Sequence, residues 1–152
     1  VTSPYAADNS NRAMNFADLP YPAIAAAGFA KFALGGVWYS LLFQKQWLAE
    51  QKLSPEEIAA ARAGGGKAPM VITLLVGFVQ VFALAVVLRA IKSDCVGCAV
   101  GTAAMLSVTF GAVPIGVNYL FERKSLRFFL INTGYDLVGL MLAGLILGQW
   151  TK

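Results

Sequence analysis

Residues 126–150 read LRFFLINTGYDLVGLMLAGLILGQW, a long apolar run with one acidic residue, Asp136, in its middle. An α-helix needs about 20 predominantly apolar residues to cross the hydrocarbon core of a bilayer. Comparable runs lie at residues 22–43, 69–91 and 98–121, separated by more polar segments. We therefore predict an all-α membrane protein that forms a four-transmembrane-helix antiparallel bundle.

The composition of the chain agrees with this prediction. Of its 152 residues, 58% are hydrophobic and 13% are charged, whereas about a quarter of a soluble domain is charged. The net charge of +4 lies mostly in short loops beside apolar runs, which favours membrane orientation and anionic headgroups over nucleic acid as its role. The chain has no histidine, so histidine-based triads and metal sites are excluded.

The polar segments indicate how the rest of the chain is organised. Residues 1–19 are small and polar, and they are predicted to form a disordered N-terminal tail before the transmembrane domain at residues 20–152. Ser54-Pro55-Glu56-Glu57 is typical of a helix start, so we predict a short surface helix over residues 54–63. Loops 44–68 and 122–127 carry more Lys and Arg than the opposite side, which places these loops in the cytoplasm and both termini outside.

Two short motifs recur along the chain. Gly36-Val37-Trp38-Tyr39 in the first span resembles Gly116-Val117-Asn118-Tyr119 in the third, and Leu75-Val76-Gly77 in the second resembles Leu137-Val138-Gly139 in the fourth. The pattern is consistent with two duplicated helix hairpins, because internal repeats are common in membrane folds. Coincidence within a small apolar alphabet is the alternative.

Lys31 and Asp136 stand out as ionisable residues that lie deep within apolar spans. Such a residue costs about 2.5–3.5 kcal/mol at the centre of a membrane helix and is a functional candidate for that reason. Measured from Phe43 and Leu126, the two residues lie at depths of roughly 18 and 15 Å, so their side chains can meet. Stripes of small and polar residues on all four spans are expected to face one another.

Three interpretations of Lys31 and Asp136 remain open at this point. They form a neutralising pair that fixes helix register, or Lys31 extends to the outer surface, or the two residues belong to a binding or proton-coupled site. In the third case Asp136 is the protonation or cation site. Further binding or coupling candidates are Gln80, which could bond to Asp136, and a vestibule on the cytoplasmic side formed by Asn118, Asn132, Tyr39 and Tyr135.

Two further pairs are candidates for a contact or a reaction. Gly144 and Gly148 form a small-xxx-small motif, which indicates either a homodimer contact or packing within one bundle. Cys95 and Cys98 have the spacing of a thiol–disulfide exchange pair at the start of the third span. A structural disulfide or two unreactive thiols are the alternatives. A zinc site would need two more ligands, so no metal is predicted.

Several of these residues resemble those of a known family. Gly35, Trp38-Tyr39-Ser40, Phe43, Lys45 and Trp47, with Asn132, Tyr135, Gly144 and Trp150 in the last span, resemble a small bacterial membrane family catalogued as domain of unknown function 1761. The resemblance implies four membrane helices and a bacterial inner membrane, but no activity. The chain departs from the family at Leu41, at Gln44 and at Asp136, where a histidine is frequent in the family.

These observations lead to two functional hypotheses. The first is a non-enzymatic integral membrane protein that binds or moves a small molecule or a proton, or serves as an accessory membrane subunit. The alternative is a quinone-linked thiol–disulfide oxidoreductase that uses Cys95 and Cys98. No phosphate loop, metal motif or nucleophile elbow occurs in the sequence, and no cofactor is predicted for the first hypothesis. The ligand itself is not predicted.

Overall fold

A computed structural model describes residues 16–64 and 67–150, and within those ranges it contains helices and no strand. A 3₁₀ turn at Phe16–Asp18 precedes the helices. The α-helices in chain order are α1 (Tyr21–Val37), α2 (Gln44–Gln51), α3 (Pro55–Gly64), α4 (Lys67–Ala90), α5 (Val96–Leu106), α6 (Val113–Phe121) and α7 (Leu126–Trp150). Two π-helical segments, Trp38–Leu42 after α1 and Ser107–Ala112 between α5 and α6, continue their helices without a loop.

Within the described residues, four continuous helical stretches are long and apolar enough to cross a membrane. They are Tyr21–Leu42, Ala68–Ala90, Val96–Phe121 and Leu126–Trp150, referred to below as the first to fourth spans. Each begins and ends within two residues of the boundaries predicted from the sequence. Many large apolar side chains on them are exposed, among them Phe29, Val79, Phe110 and Leu130. This distribution is consistent with an integral membrane protein, in which lipid covers such side chains.

The segments outside the spans correct the sequence prediction at two places. The predicted tail is too long at its C-terminal end, because Leu19 is 4% exposed and the ring of Phe16 stacks on Phe82. Residues 1–15 lie outside the described part of the chain.

Helix α2 was not predicted. Helix α3 lies where a helix over 54–63 was expected, and Ser54 and Glu57 form a reciprocal capping box at its start.

The fourth span lies at the centre of the packing. Helix α7 packs against α1 on one side and against α5 on the other, while α4 packs mainly on α1. Between the third and fourth spans, Val96 contacts Gly148, Gly111 lies against Asp136, and Gly116 lies against Phe129. Residue numbers therefore rise along one span and fall along the other.

Small residues allow this close approach of α5 and α7. A Cβ atom added to Gly144 would lie 2.8 Å from the carbonyl oxygen of Ala99, which is closer than real Cβ contacts. Ala99, Ala103 and Ala143 are fully buried in the same contact region. Little hydrophobic force acts between helices in lipid, so close packing of small residues is the main source of association.

Candidate functional site

Asp136 lies where all four spans meet, and it accepts a hydrogen bond from each of the other three. Lys31 Nζ on the first span is 2.7 Å from Asp136 Oδ1, and Gln80 Nε2 on the second is 3.1 Å from the same oxygen. Ser107 Oγ on the third span donates to Asp136 Oδ2 at 3.0 Å. A buried carboxylate needs such partners to offset its desolvation.

Lys31 is held by packing as well as by its charge. The side chain is 2% exposed, and its stem runs over Gly139, where an added Cβ would lie 3.1 Å from Lys31 Cγ. The ammonium lies 5.3 Å from the centre of the Tyr135 ring, within the range of a cation–π interaction. The interpretation in which Lys31 extends to the outer surface is therefore wrong, because its ammonium is directed at Asp136.

A groove reaches Asp136 from one side of the protein. It has a volume of about 270 Å³ and lies between the second and third spans, with Gln80, Ser107 and Gly111 beside the carboxylate. Its remaining walls are apolar and include Ala83, Val87, Leu106 and Phe110. The Asp136 side chain is 16% exposed, whereas Lys31 is almost fully covered. The accessible part of the ion pair is thus the carboxylate.

A second polar cluster lies one to two helical turns from the ion pair, toward the end of the first span. Tyr39 donates a hydrogen bond of 3.0 Å to Asn132 Oδ1, and Asn132 Nδ2 donates one of 3.2 Å to Tyr119. The rings of Tyr39 and Tyr135 meet edge to face at 5.2 Å between centroids. Trp38 Nε1 donates to the Ile131 carbonyl at 3.0 Å. The cluster links the first, third and fourth spans.

The structure thus brings together six of the seven predicted binding candidates, but it does not test their role. Lys31, Asp136 and Gln80 form one group, and Tyr39, Asn132 and Tyr135 lie beside it. The position of Asn118 corrects the prediction, because this residue is exposed while Tyr119 contacts Asn132. The π-helical segment Ser107–Ala112 explains the difference, since its extra residue rotates the inward face of α6 by about one position.

Several residues of the site were not among the sequence candidates. Ser107 is a small polar residue of the third span, of the kind expected to face the other spans, but the sequence did not single out its contact with Asp136. Tyr119 and Tyr39 occupy equivalent positions in the recurring motif, so that repeat was the available signal for Tyr119. Trp38 belongs to the same recurring motif and to the family resemblance, and neither of them indicates its contact with the Ile131 carbonyl.

The glycine and cysteine pairs have different surroundings. Gly144 and Gly148 are buried against α5 of the same chain, so the alternative of packing within one bundle is the one that the structure supports for them. A dimer through this surface would require α5 and α7 to separate. Cys95 and Cys98 form a disulfide at the start of α5, where Cys98 N also donates to Cys95 Sγ at 2.8 Å.

Comparison with known families identifies the chain. Residues 22–148 match the family described as Protein of unknown function (DUF1761). The chain belongs to the DUF1761 family. The match begins in the first span and ends in the fourth, so it includes Lys31, Gln80, Ser107 and Asp136.

Membership of DUF1761 assigns no activity. Searches of curated proteins and of solved structures found no significant match. Among the described residues of this DUF1761 protein, no group of three or more Cys, Asp or Glu side chains is arranged to hold a metal ion. Any function therefore has to be argued from the groove and the ion pair.

Proposed function

We propose that this DUF1761 protein is a non-enzymatic integral membrane protein that binds a small molecule or a proton at Asp136. In this proposal the four spans form an antiparallel bundle in a bacterial inner membrane, alone or as an accessory subunit of a larger complex. The observation that carries the proposal is the convergence of Lys31, Gln80 and Ser107 on a carboxylate that also lines a groove. Intramembrane carboxylates of this kind mark ligand and proton sites.

The principal alternative is an ion pair that only fixes helix register. A purely structural pair needs no route to its carboxylate, and a lining of closely packed side chains would serve it better. Here Gly111 leaves space beside Asp136, because a Cβ at that position would lie 3.0 Å from Asp136 Oδ2. The groove beside the carboxylate favours binding over a purely structural role.

The decisive experiment removes the negative charge of Asp136 and keeps the size and shape of its side chain. Asp136→Asn leaves Lys31 without its counter-ion, so it is compared with the wild type under conditions in which its unfolding transition shows that it is folded. There it should remove either a small molecule that co-purifies with the wild type in native mass spectrometry or a pH-dependent proton flux in proteoliposomes. Asp94→Asn is the matched control, because Asp94 is an exposed carboxylate in the loop between α4 and α5. A folded Asp136→Asn variant that retains both signals at the wild-type level would contradict the proposal.

Contacts of the recurring motifs support the proposed duplication. Tyr39 and Tyr119 occupy the same place in the repeat, and both contact Asn132. Eight positions earlier in each copy, Lys31 and Gly111 both lie against Asp136. The two halves differ at one interface, because α1 packs closely on α7 whereas the groove separates the equivalent helices α4 and α5. Under the duplication, α4 and α5 are the helices that correspond to α7 and α1. The groove lies between α4 and α5, at the position where α7 and α1 are in close contact.

The disulfide supports thiol–disulfide exchange as a second candidate function. Cys95 precedes the first residue of α5 and Cys98 is exposed, and a helix N-terminus is a position that favours a reactive thiolate. If exchange with a quinone-linked partner is the function, Cys95→Ser should abolish it and the purified protein should carry quinone. A purified protein without quinone, or a Cys95→Ser variant that retains the exchange activity at the wild-type level, would remove this candidate.

A further inference from the structure

The residues that line the groove at Asp136 lie within the second, third and fourth spans, so the groove opens on the flank of the bundle. Its rim is apolar, with Ala83 exposed on the second span and Phe110 78% exposed on the third. Gln80, Ser107 and Asp136 lie within their spans, away from the helix ends. A molecule that reaches the carboxylate through this groove therefore arrives sideways from the bilayer.

The charge at the bottom of the groove restricts what can bind there. Lys31 and Asp136 neutralise each other, so a cation or an anion added beside them would leave an unbalanced charge in a low-dielectric region. An uncharged headgroup leaves the balance unchanged. The site therefore favours a neutral polar group over an ammonium or a carboxylate.

The hydrogen-bonding capacity of the site further restricts which neutral polar group can bind there. A carboxylate can accept about four hydrogen bonds, and Asp136 accepts three, two at Oδ1 and one at Oδ2. Gln80 Nε2 carries two N–H groups and donates one of them to Asp136. Gln80 and Asp136 both line the groove, so a hydroxyl group placed there can donate to the carboxylate and accept from the amide.

The size of the groove excludes a complete membrane phospholipid from its interior. Its volume of about 270 Å³ lies just below the roughly 300–1,000 Å³ of typical small-molecule pockets. One acyl chain or one ring fits such a space, and the rest of a long ligand would extend past Phe110 into lipid.

We propose that the groove takes an uncharged, hydroxyl-bearing amphiphile with a single chain or ring from the bilayer, its hydroxyl donating to Asp136 Oδ2. This inference rests on the proposed function and adds the class of ligand and its route. Ala83 and Phe110 form the entrance, and Gly111 keeps the carboxylate accessible.

The test uses the full chain in phosphatidylcholine nanodiscs with three photoactivatable probes. The probes are diazirine derivatives of decanol, decylamine and decanoic acid, and the crosslinked peptides are mapped by mass spectrometry. We expect the alcohol alone to label the groove saturably and to be displaced by excess unlabelled decanol. The ammonium and carboxylate probes should bind about tenfold more weakly or worse, because they add a buried charge.

Two variants narrow the route without replacing any polar side chain of the site. Ala83→Leu narrows the entrance and should reduce saturable labelling by the alcohol about tenfold, since each added methylene removes space that the ligand occupies. Gly111→Ala should do the same beside the carboxylate. Ala26→Leu is the control, because Ala26 is exposed on the first span, away from the groove, and labelling should match the wild type.

The outcomes separate this inference from the proposed function. Equal labelling by all three probes, stronger labelling by the ammonium or carboxylate probe, or alcohol labelling that is unsaturable or unaffected by Ala83→Leu and Gly111→Ala would overturn the inference. In that event Asp136→Asn still decides the proposed function through its own two signals. Saturable labelling by the alcohol that persists unchanged in Asp136→Asn would overturn the inference, because the hydroxyl would then not depend on the carboxylate, and the two signals of the proposed function would still decide that function.

Discussion

Lys31 and Asp136 carry opposite charges among apolar residues, so removing one charge leaves the other without a counter-ion. We expect Lys31→Met to destabilise the protein by about 3 kcal/mol, because a broken buried pair leaves an uncompensated charge. The double substitution Lys31→Met with Asp136→Leu should recover most of that loss, since the remaining site is apolar. Thermal or detergent-induced unfolding of the purified variants measures both effects.

The same pair of variants also separates stability from function. The double variant should fold and yet lack the co-purifying ligand or the proton flux, because the carboxylate is gone. If Lys31→Met alone is as stable as the wild type, the ammonium contributes nothing to holding Asp136, and the ion pair described here does not govern the fold.

At the scale of single residues, the sequence identified the positions at which a side chain is energetically costly to place in a membrane. Lys31 and Asp136 stood out because charged side chains are expensive in a membrane, and depth alone indicated that they could meet. The prediction that Asn118 lines the polar cluster was wrong because it assumed a regular α-helical period through the third span. A π-helical segment changes that period, and no residue type in Ser107–Ala112 indicates that such a segment will form.

Among the helices, the contact between α5 and α7 depends most strongly on residue size. We expect Gly144→Ala to destabilise the protein, because its Cβ would lie 2.8 Å from the Ala99 carbonyl oxygen and the two backbones would have to separate. A cost of about 1–3 kcal/mol is typical of such overpacking. The unfolding midpoint of the purified variant is the measurement.

Gly101→Ala is the matched control for that substitution. Gly101 lies in α5, the helix on which Gly144 of α7 packs, and a Cβ at Gly101 would meet nothing within 4 Å. Its replacement should be neutral or stabilising by up to about 1 kcal/mol, because alanine is the better helix former. Equal effects of the two substitutions would show that the close approach of α5 and α7 is not what the glycines provide.

Helix boundaries were predictable to different degrees. The apolar runs gave the four spans because their length is set by the bilayer, and the Ser54–Glu57 capping box gave the start of α3 because its residue spacing is specific. Helix α2 was missed because Gln44–Gln51 is short and mixed in polarity. Its residues Trp47 and Glu50 contact Tyr39 and Ser125, so tertiary contacts support a helix that the sequence pattern alone does not indicate.

For the molecule as a whole, the orientation in the membrane follows from the distribution of Lys and Arg. We expect the loop that contains α3 to face the cytoplasm and the loop between α4 and α5 to face outside. In a background of Cys95→Ser and Cys98→Ser, Glu56→Cys should react with an impermeant maleimide in inverted vesicles only. Asp94→Cys should react in right-side-out vesicles only.

The two sites are matched because both Glu56 and Asp94 are exposed acidic residues outside the spans. Reversed labelling would invert the proposed orientation and leave the bundle itself unaffected. Labelling of both sites from both sides would indicate that the chain inserts in two orientations.

The order in which the ion pair is synthesised has a consequence for biogenesis. Asp136 follows Lys31 by 105 residues, and a ribosome adds about 5–20 residues per second, so roughly 5–20 s separate the two. If the first span enters the bilayer as it emerges, its ammonium waits there without a counter-ion until the fourth span follows. A ribosome that stalls before the fourth span therefore leaves the Lys31 ammonium of the first helix without its counter-ion. This unpaired charge distinguishes an incomplete chain from a complete one, and membrane quality control can recognise it.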